Sequence, residues 1–151
     1  MPPAGPAPQN AIDWTYLFTR FDGRIARRPF WIALLTLLGV EIAAQMLAYQ
    51  IEGDRLGAIV DLAFTYPEFA LLVKRAHDRN LPTWLVAGFF ALSVLMNFLV
   101  VLGWRSNMDE LDPVTLIILV PWFVVAVALL VELGFRRGTQ GPNRYGPDPL
   151  R

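Results

Sequence analysis

His77 and Asp78 are the first residues to weigh for chemistry, because an imidazole beside a carboxylate is the usual equipment of acid–base catalysis. They stand in the run Lys74-Arg75-Ala76-His77-Asp78-Arg79-Asn80. Adjacent side chains in a turn do not face one another, however, and no serine nucleophile motif accompanies the pair. The order and spacing are not those of a kinase catalytic loop, and the glycine-rich loop that goes with one is missing. The run reads as a solvated basic loop in which Asp78 bonds to backbone or to arginine and which also meets anionic lipid. An enzyme working on a lipid phosphate through His77 and Asp78 is the competing reading, and no catalytic residue is expected. With no cysteine and one histidine, the chain has no thiol nucleophile, no disulfide and no zinc site of usual composition. No cofactor is expected.

A second set of polar residues lies inside apolar sequence. Glu41, Gln45 and Glu52 fall on one helical face, Asp61, Thr65, Glu68 and Arg75 on another, and Ser93 and Asn97 on a third. Such residues are costly in hydrocarbon and therefore informative. Glu41, Gln45, Asp61 and Asn97 are expected to meet at mid-depth, with Glu68 on the same inward-turned face as Asp61. Holding the helices together by hydrogen bonds is their expected role. Relaying protons or binding a cation is the other. Glu132 precedes Arg136 by one turn and is expected to pair with it. A third set is Gly138-Thr139-Gln140-Gly141-Pro142-Asn143-Arg144-Tyr145-Gly146-Pro147-Asp148-Pro149. Its glycines lack the preceding strand and following helix of a phosphate-binding loop. Gly138 is expected to end a helix, and the remainder to form an ordered turn.

The elements that must position these residues follow from composition. Of 151 residues, 55% are hydrophobic and 17% charged, which points away from both disorder and an ordinary soluble domain. Four apolar stretches reach the ~20 residues that a helix needs to cross ~30 Å of hydrocarbon. They are expected at about 30–51, 56–73, 83–104 and 113–134, the second being weakest because it carries Asp61, Glu68 and Pro67. The fold class is therefore all-α: a single four-helix transmembrane domain over 12–151, closed by a C-terminal turn at 135–151. Residues 1–11, rich in proline, are expected to be a disordered tail. From Ile12 to Arg28, aromatic residues alternate with charges, as in a short helix lying in the membrane interface or packed on the end of the bundle.

Charge placement predicts orientation. Eleven of the 13 basic residues fall before the first stretch, between the second and third, or after the fourth, with Asp13, Asp22, Asp78 and Asp148 among them. The two other loops hold Arg55 and Arg105 against five acids. Lys and Arg stay on the cytoplasmic side of short loops, so both termini are expected in the cytoplasm of a bacterial inner membrane.

Phe21-Asp22-Gly23-Arg24-Ile25-Ala26-Arg27-Arg28-Pro29-Phe30-Trp31, then Arg75-Ala76-His77-Asp78, then Gly138 to Pro149 resembles the DUF805 family of small bacterial inner-membrane proteins. Three separated motifs occur in the family's order, although Ala76 stands where the family usually has leucine. The resemblance implies a polytopic membrane protein of unassigned activity. It also implies that Gly23, Arg24, Arg27, Trp31, Arg75, His77, Asp78, Asn143 and Gly146 belong to the family's pattern.

The resulting expectation is an accessory or scaffold subunit whose basic cytoplasmic face docks lipid headgroups or a partner protein. Arg24, Arg27, Arg75, His77, Asp78, Asn143, Arg144 and Asp148 form the expected cap, with Asp78 and Asp148 bridging Arg24, Arg27 or Arg75. Expected partners are membrane lipids with anionic headgroups, a larger membrane complex or further copies of the chain, and not nucleic acid. A small transporter or proton-coupled device using Glu41, Asp61, Glu68 and Asn97 is the other reading.

Overall fold

The computed structural model describes residues 12–102 and 113–150. The expected N-terminal tail and the acidic loop near Asp109 lie outside the described residues. A short helix α1 (Trp14–Thr19) opens the described chain, followed by α2 (Arg27–Glu52), α3 (Asp54–Asp78), α4 (Thr83–Val101) and α5 (Pro113–Leu130). The last passes directly into a π-helical turn, Val131–Phe135. Four of these helices are long and apolar enough to cross a membrane. Their outer faces are apolar: Leu35, Met46, Ile117 and Phe123 are all exposed. In a soluble helix that face is polar, so the pattern is that of helices bathed in lipid.

Local chemistry sets the joints. Gly53, at φ +66°, is the whole connection between α2 and α3, a left-handed position that an L side chain resists. At the far end of α3 the backbone closes in a left-handed cap. Asn80 has φ +57°, its amide donates to the His77 carbonyl at 3.0 Å, and the Leu81 amide reaches back to Ala76 at 2.9 Å. That is the Schellman arrangement, with asparagine in place of the usual glycine. Helix α3 therefore runs five residues past the expected end at 73. The segment expected to be a solvated loop, Lys74 to Asp78, is its buried last turn instead. At the other extreme, the helix expected over Ile12 to Arg28 is only six residues long, after which the chain is irregular, bending at Asp22 and Gly23, until α2 begins. Gly138 does not end the fourth span. The helix stops at Phe135, and Arg136 is already extended.

Hydrophobic burial is concentrated at one end of the bundle. Leu17 of α1, Phe30, Ala33 and Leu34 of α2, Leu71 and Val73 of α3, Val86 and Phe90 of α4, and Leu133 of the π turn form one cluster. Helix α1 packs on α3, and α2, α3 and α4 pack against one another. Helix α5 is held by α4 and, through its π turn, by α2 and α3. The core thus sits against the end that carries Arg24, Arg75 and the C-terminal segment.

Candidate functional site: a folded cap on the basic end of the bundle

Asp78 is the centre of the site because the last turn of α3 points it at two arginines. Its Oδ1 accepts from Arg24 Nε at 3.1 Å and Nη2 at 3.0 Å, and its Oδ2 accepts from Arg75 Nη1. Arg75 is 0% exposed, Asp78 3% and Arg24 6%. One carboxylate between two buried guanidiniums leaves a net positive charge, which burial penalises unless dipoles absorb it. Backbone carbonyls supply them. Arg24 donates to the carbonyls of Thr139 (2.6 Å), Gly141 (2.8 Å) and Gly146 (3.3 Å). Arg75 donates to those of Leu133 (2.6 Å), Ile25 (3.3 Å) and Arg136 (2.7 Å).

Those carbonyls are available for a reason. The last turn of any helix leaves its carbonyl oxygens without amide partners. Here the carbonyls from Leu133 to Arg137 are capped by side chains from other elements. Arg75 takes Leu133 and Arg136, the Trp31 indole takes Gly134 at 3.0 Å, Arg27 takes Phe135 at 3.2 Å, and Arg79 takes Arg137. Arginine at a helix C-terminus also suits the macrodipole. Trp31 lies so close that a Cβ on Gly134 would come within 2.6 Å of its ring.

The C-terminal segment is bound to this centre. Thr139 donates to the Asp78 carbonyl from its amide at 2.8 Å and from its hydroxyl at 3.0 Å. Gly138 is required beside it, since a Cβ there would run into the Asp78 carboxylate. Asn143 and Gly146 exchange backbone hydrogen bonds to form a tight turn. The Asn143 side chain donates to the His77 carbonyl at 2.9 Å and to Thr139 Oγ1 at 2.8 Å. Tyr145 stacks on the His77 ring, centroids 3.8 Å apart and planes within 8°. The two nitrogens of that ring meet the Gly23 carbonyl (3.2 Å) and the Thr83 hydroxyl (2.9 Å). A carbonyl only accepts, so Nδ1 carries a proton and Nε2 faces the hydroxyl. Arg144 reaches the Asn80 carbonyl at 3.1 Å, and Asp148 accepts from the amides of Gly141 (2.9 Å) and Leu150 (3.0 Å).

Around this centre, Glu132 pairs with Arg136 at 2.9 Å, as its spacing predicts, and also with Arg79 at 2.7 Å. Lys74, 0% exposed, donates to the Arg20 carbonyl and lies 5.2 Å from the centre of the Tyr16 ring. Burial, and after it the Asp22 charge, raise the Tyr16 phenol above its ordinary range, which keeps it a donor to the Asp22 carbonyl at 3.1 Å. Lys74 and Thr139 stand in runs that the sequence singles out but have no role assigned there, and Gly134 and Tyr16 were not legible as site residues. The Lys74 position does carry a signal, since a lysine midway between Val73 and Arg75 on an apolar helix calls for a partner.

The second expected constellation also assembles. The Asp61 side chain is within hydrogen-bonding reach of Glu41, Gln45 and Asn97, and Glu41 of Glu68. Gln45 also donates to the Gly57 carbonyl at 3.1 Å, tying α2 to α3 where they run closest to their turn. All five side chains are half-buried. They connect three helices: Glu41 and Gln45 of α2, Asp61 and Glu68 of α3, and Asn97 in the last quarter of α4.

A family profile described as "Protein of unknown function (DUF805)" matches residues 18–147. An Escherichia coli K12 protein described as "Uncharacterized protein YiiR" is 31% identical over 146 residues, covering 88% of this chain and 87% of its own. Two proteins of the same strain described as inner membrane proteins, YhaI and YhaH, are 27% and 26% identical. They cover 87% and 91% of this chain, and 87% and 97% of their own lengths. No solved structure matches.

Proposed function

We propose, from the premise that this chain belongs to the DUF805 family and is a multi-pass inner-membrane protein with four candidate spans, that it is an accessory or scaffold subunit. Both termini and the basic end lie in the cytoplasm, and the folded cap is a platform that docks anionic headgroups or a partner protein. The observation that supports this is how the chemistry-bearing side chains are spent. Arg24, Arg75, Asp78 and His77 turn their polar groups on one another, on backbone carbonyls and on the hydroxyls of Thr139 and Thr83. A catalytic centre needs a reacting group with unspent capacity facing a space for substrate. Exposed Arg28 and Arg137 instead face outward from the cap. The reading is non-enzymatic. Gentle extraction of the protein from its native membrane should retain a specific companion that Arg137→Glu loses while the fold persists. A companion set indifferent to that charge reversal would overturn the reading.

The meeting of Glu41, Asp61 and Glu68 on two helices, joined by Asn97 of a third, favours a second reading: a proton-coupled device. In sealed liposomes its test is proton uptake that Asp61→Asn abolishes and Asp13→Asn does not.

A further inference from the structure

We propose that the groove between the start of α2 and the π turn of α5 is a binding site for one anionic phospholipid, its phosphate held by Arg27 and Arg28 and its acyl chain leaving between the two helices. This deepens the docking reading given above and rests on it, since it needs the basic end to lie at a headgroup layer.

The groove encloses about 770 Å³. Among the described residues, Arg27 and Arg28 are the only ionisable groups on its lining, and its other walls include Trp31, Phe135, Pro29 and Leu150. Two positive charges with no acid, set in an aromatic and aliphatic wall, complement a molecule that carries a phosphate at one end and hydrocarbon at the other. A free phosphate would leave the apolar walls unused. The position agrees, because the groove joins the first turn of one candidate span to the last turn of another. Above the π turn, α5 packs on α4 and hardly touches α2. The groove therefore opens upward between apolar faces on which Leu35 and Val131 are both exposed.

The electrostatics of α2 point the same way. Ala26 gives the helix no side-chain cap, and there is no acid in its first turn. Two arginines stand instead at the positive end of a 26-residue helix dipole, an arrangement that an anion relieves. Arg27 spends one donor on the Phe135 carbonyl, whereas Arg28 makes no hydrogen bond or ion pair among the described residues.

The test uses the purified full chain in a zwitterionic detergent, titrated with phosphatidylglycerol and separately with phosphatidylcholine, and read by native mass spectrometry. Phosphatidylglycerol should bind in preference. Arg28→Gln should weaken it about fivefold, and the double substitution with Arg27→Gln by a further similar factor. Arg55→Gln, the same charge change on the turn at the other end, should leave it unchanged. Since Arg27 also caps the π turn, Arg28→Gln alone decides the matter if the double variant fails to fold. Equal binding of the two lipids, or equal effects of Arg28→Gln and Arg55→Gln, overturns the inference. Displacement of the lipid by inorganic phosphate at matched ionic strength would make this a phosphate site, and binding of a glutamate-rich peptide without binding of phosphatidylglycerol a protein-docking site. Either result overturns it. Because the assay has no sidedness, it stands or falls separately from the cytoplasmic orientation of the cap.

Discussion

The carboxylate of Asp78 shows how far a single residue can be read in advance. Its role as a partner of arginine is legible, because a lone acid among Lys74, Arg75 and Arg79 has few other fates. What surrounds it is not, because Arg24 is 54 residues away and the carbonyls that absorb the excess charge have no side-chain signal at all. Replacing Asp78 with alanine leaves two buried guanidiniums without a counter-charge. We expect a loss of about 3–5 kcal/mol, seen as a lower unfolding midpoint and faster proteolysis after Arg137. Asp78→Asn keeps the shape and one acceptor, and its loss should fall between that variant and the native protein. Gly138 was misread as a helix stop because glycine after a basic pair has that meaning in most helices. Its actual constraint is steric, against a carboxylate that two arginines hold in place. Gly138→Ala should therefore cost about 1–3 kcal/mol in the same measurement, whereas Gly141→Ala meets open space and is opposed only by its left-handed backbone.

At the scale of elements, the four long helices could be placed from apolar length and charge, and the ends could not. Charge ends the apolar stretch at Lys74 but does not end the helix there. The physical stop signal is Asn80-Leu81-Pro82, an αL-tolerant residue, an apolar one and a proline, five residues later. Charge did not break the helix because every charged group in its last turn found a partner inside the fold. That cap makes a prediction. Asn80→Gly should be neutral or slightly stabilising, while Asn80→Val, a branched residue at φ +57°, should cost about 1–2 kcal/mol by thermal unfolding. The π turn at Val131–Phe135 was not legible either. Its widened backbone goes with Gly134 under the Trp31 ring, a contact between residues 103 apart in sequence.

For the whole molecule, the division into a packed end and an open end separates what water and lipid each see. Buried apolar residues cluster beside the cap, and the far halves of α2, α4 and α5 expose Ile42, Leu95 and Ile117. Amide exchange in detergent should accordingly be slowest over residues 70–78 of α3 and faster over 54–60, even though one helix contains both. Uniform protection along α3 would contradict this. Orientation is settled by impermeant thiol labelling of intact cells. A cysteine replacing Glu52 should react from outside, and one replacing Gln140 only after the membrane is opened. Reaction at Gln140 in intact cells would invert the arrangement.

Arg24 is synthesised before any of the four spans, and its partners Thr139, Gly141 and Gly146 follow 115 to 122 residues later. Once α3 is made, then, the centre of the cap has Arg24, Arg75 and Asp78 but not yet the carbonyls beyond α5 that complete it. Closure therefore waits until every span has been made, because Thr139, Gly141 and Gly146 all follow the fourth. A product cut short before Thr139 would have all four candidate spans and still leave Arg24 without the carbonyls of Thr139, Gly141 and Gly146.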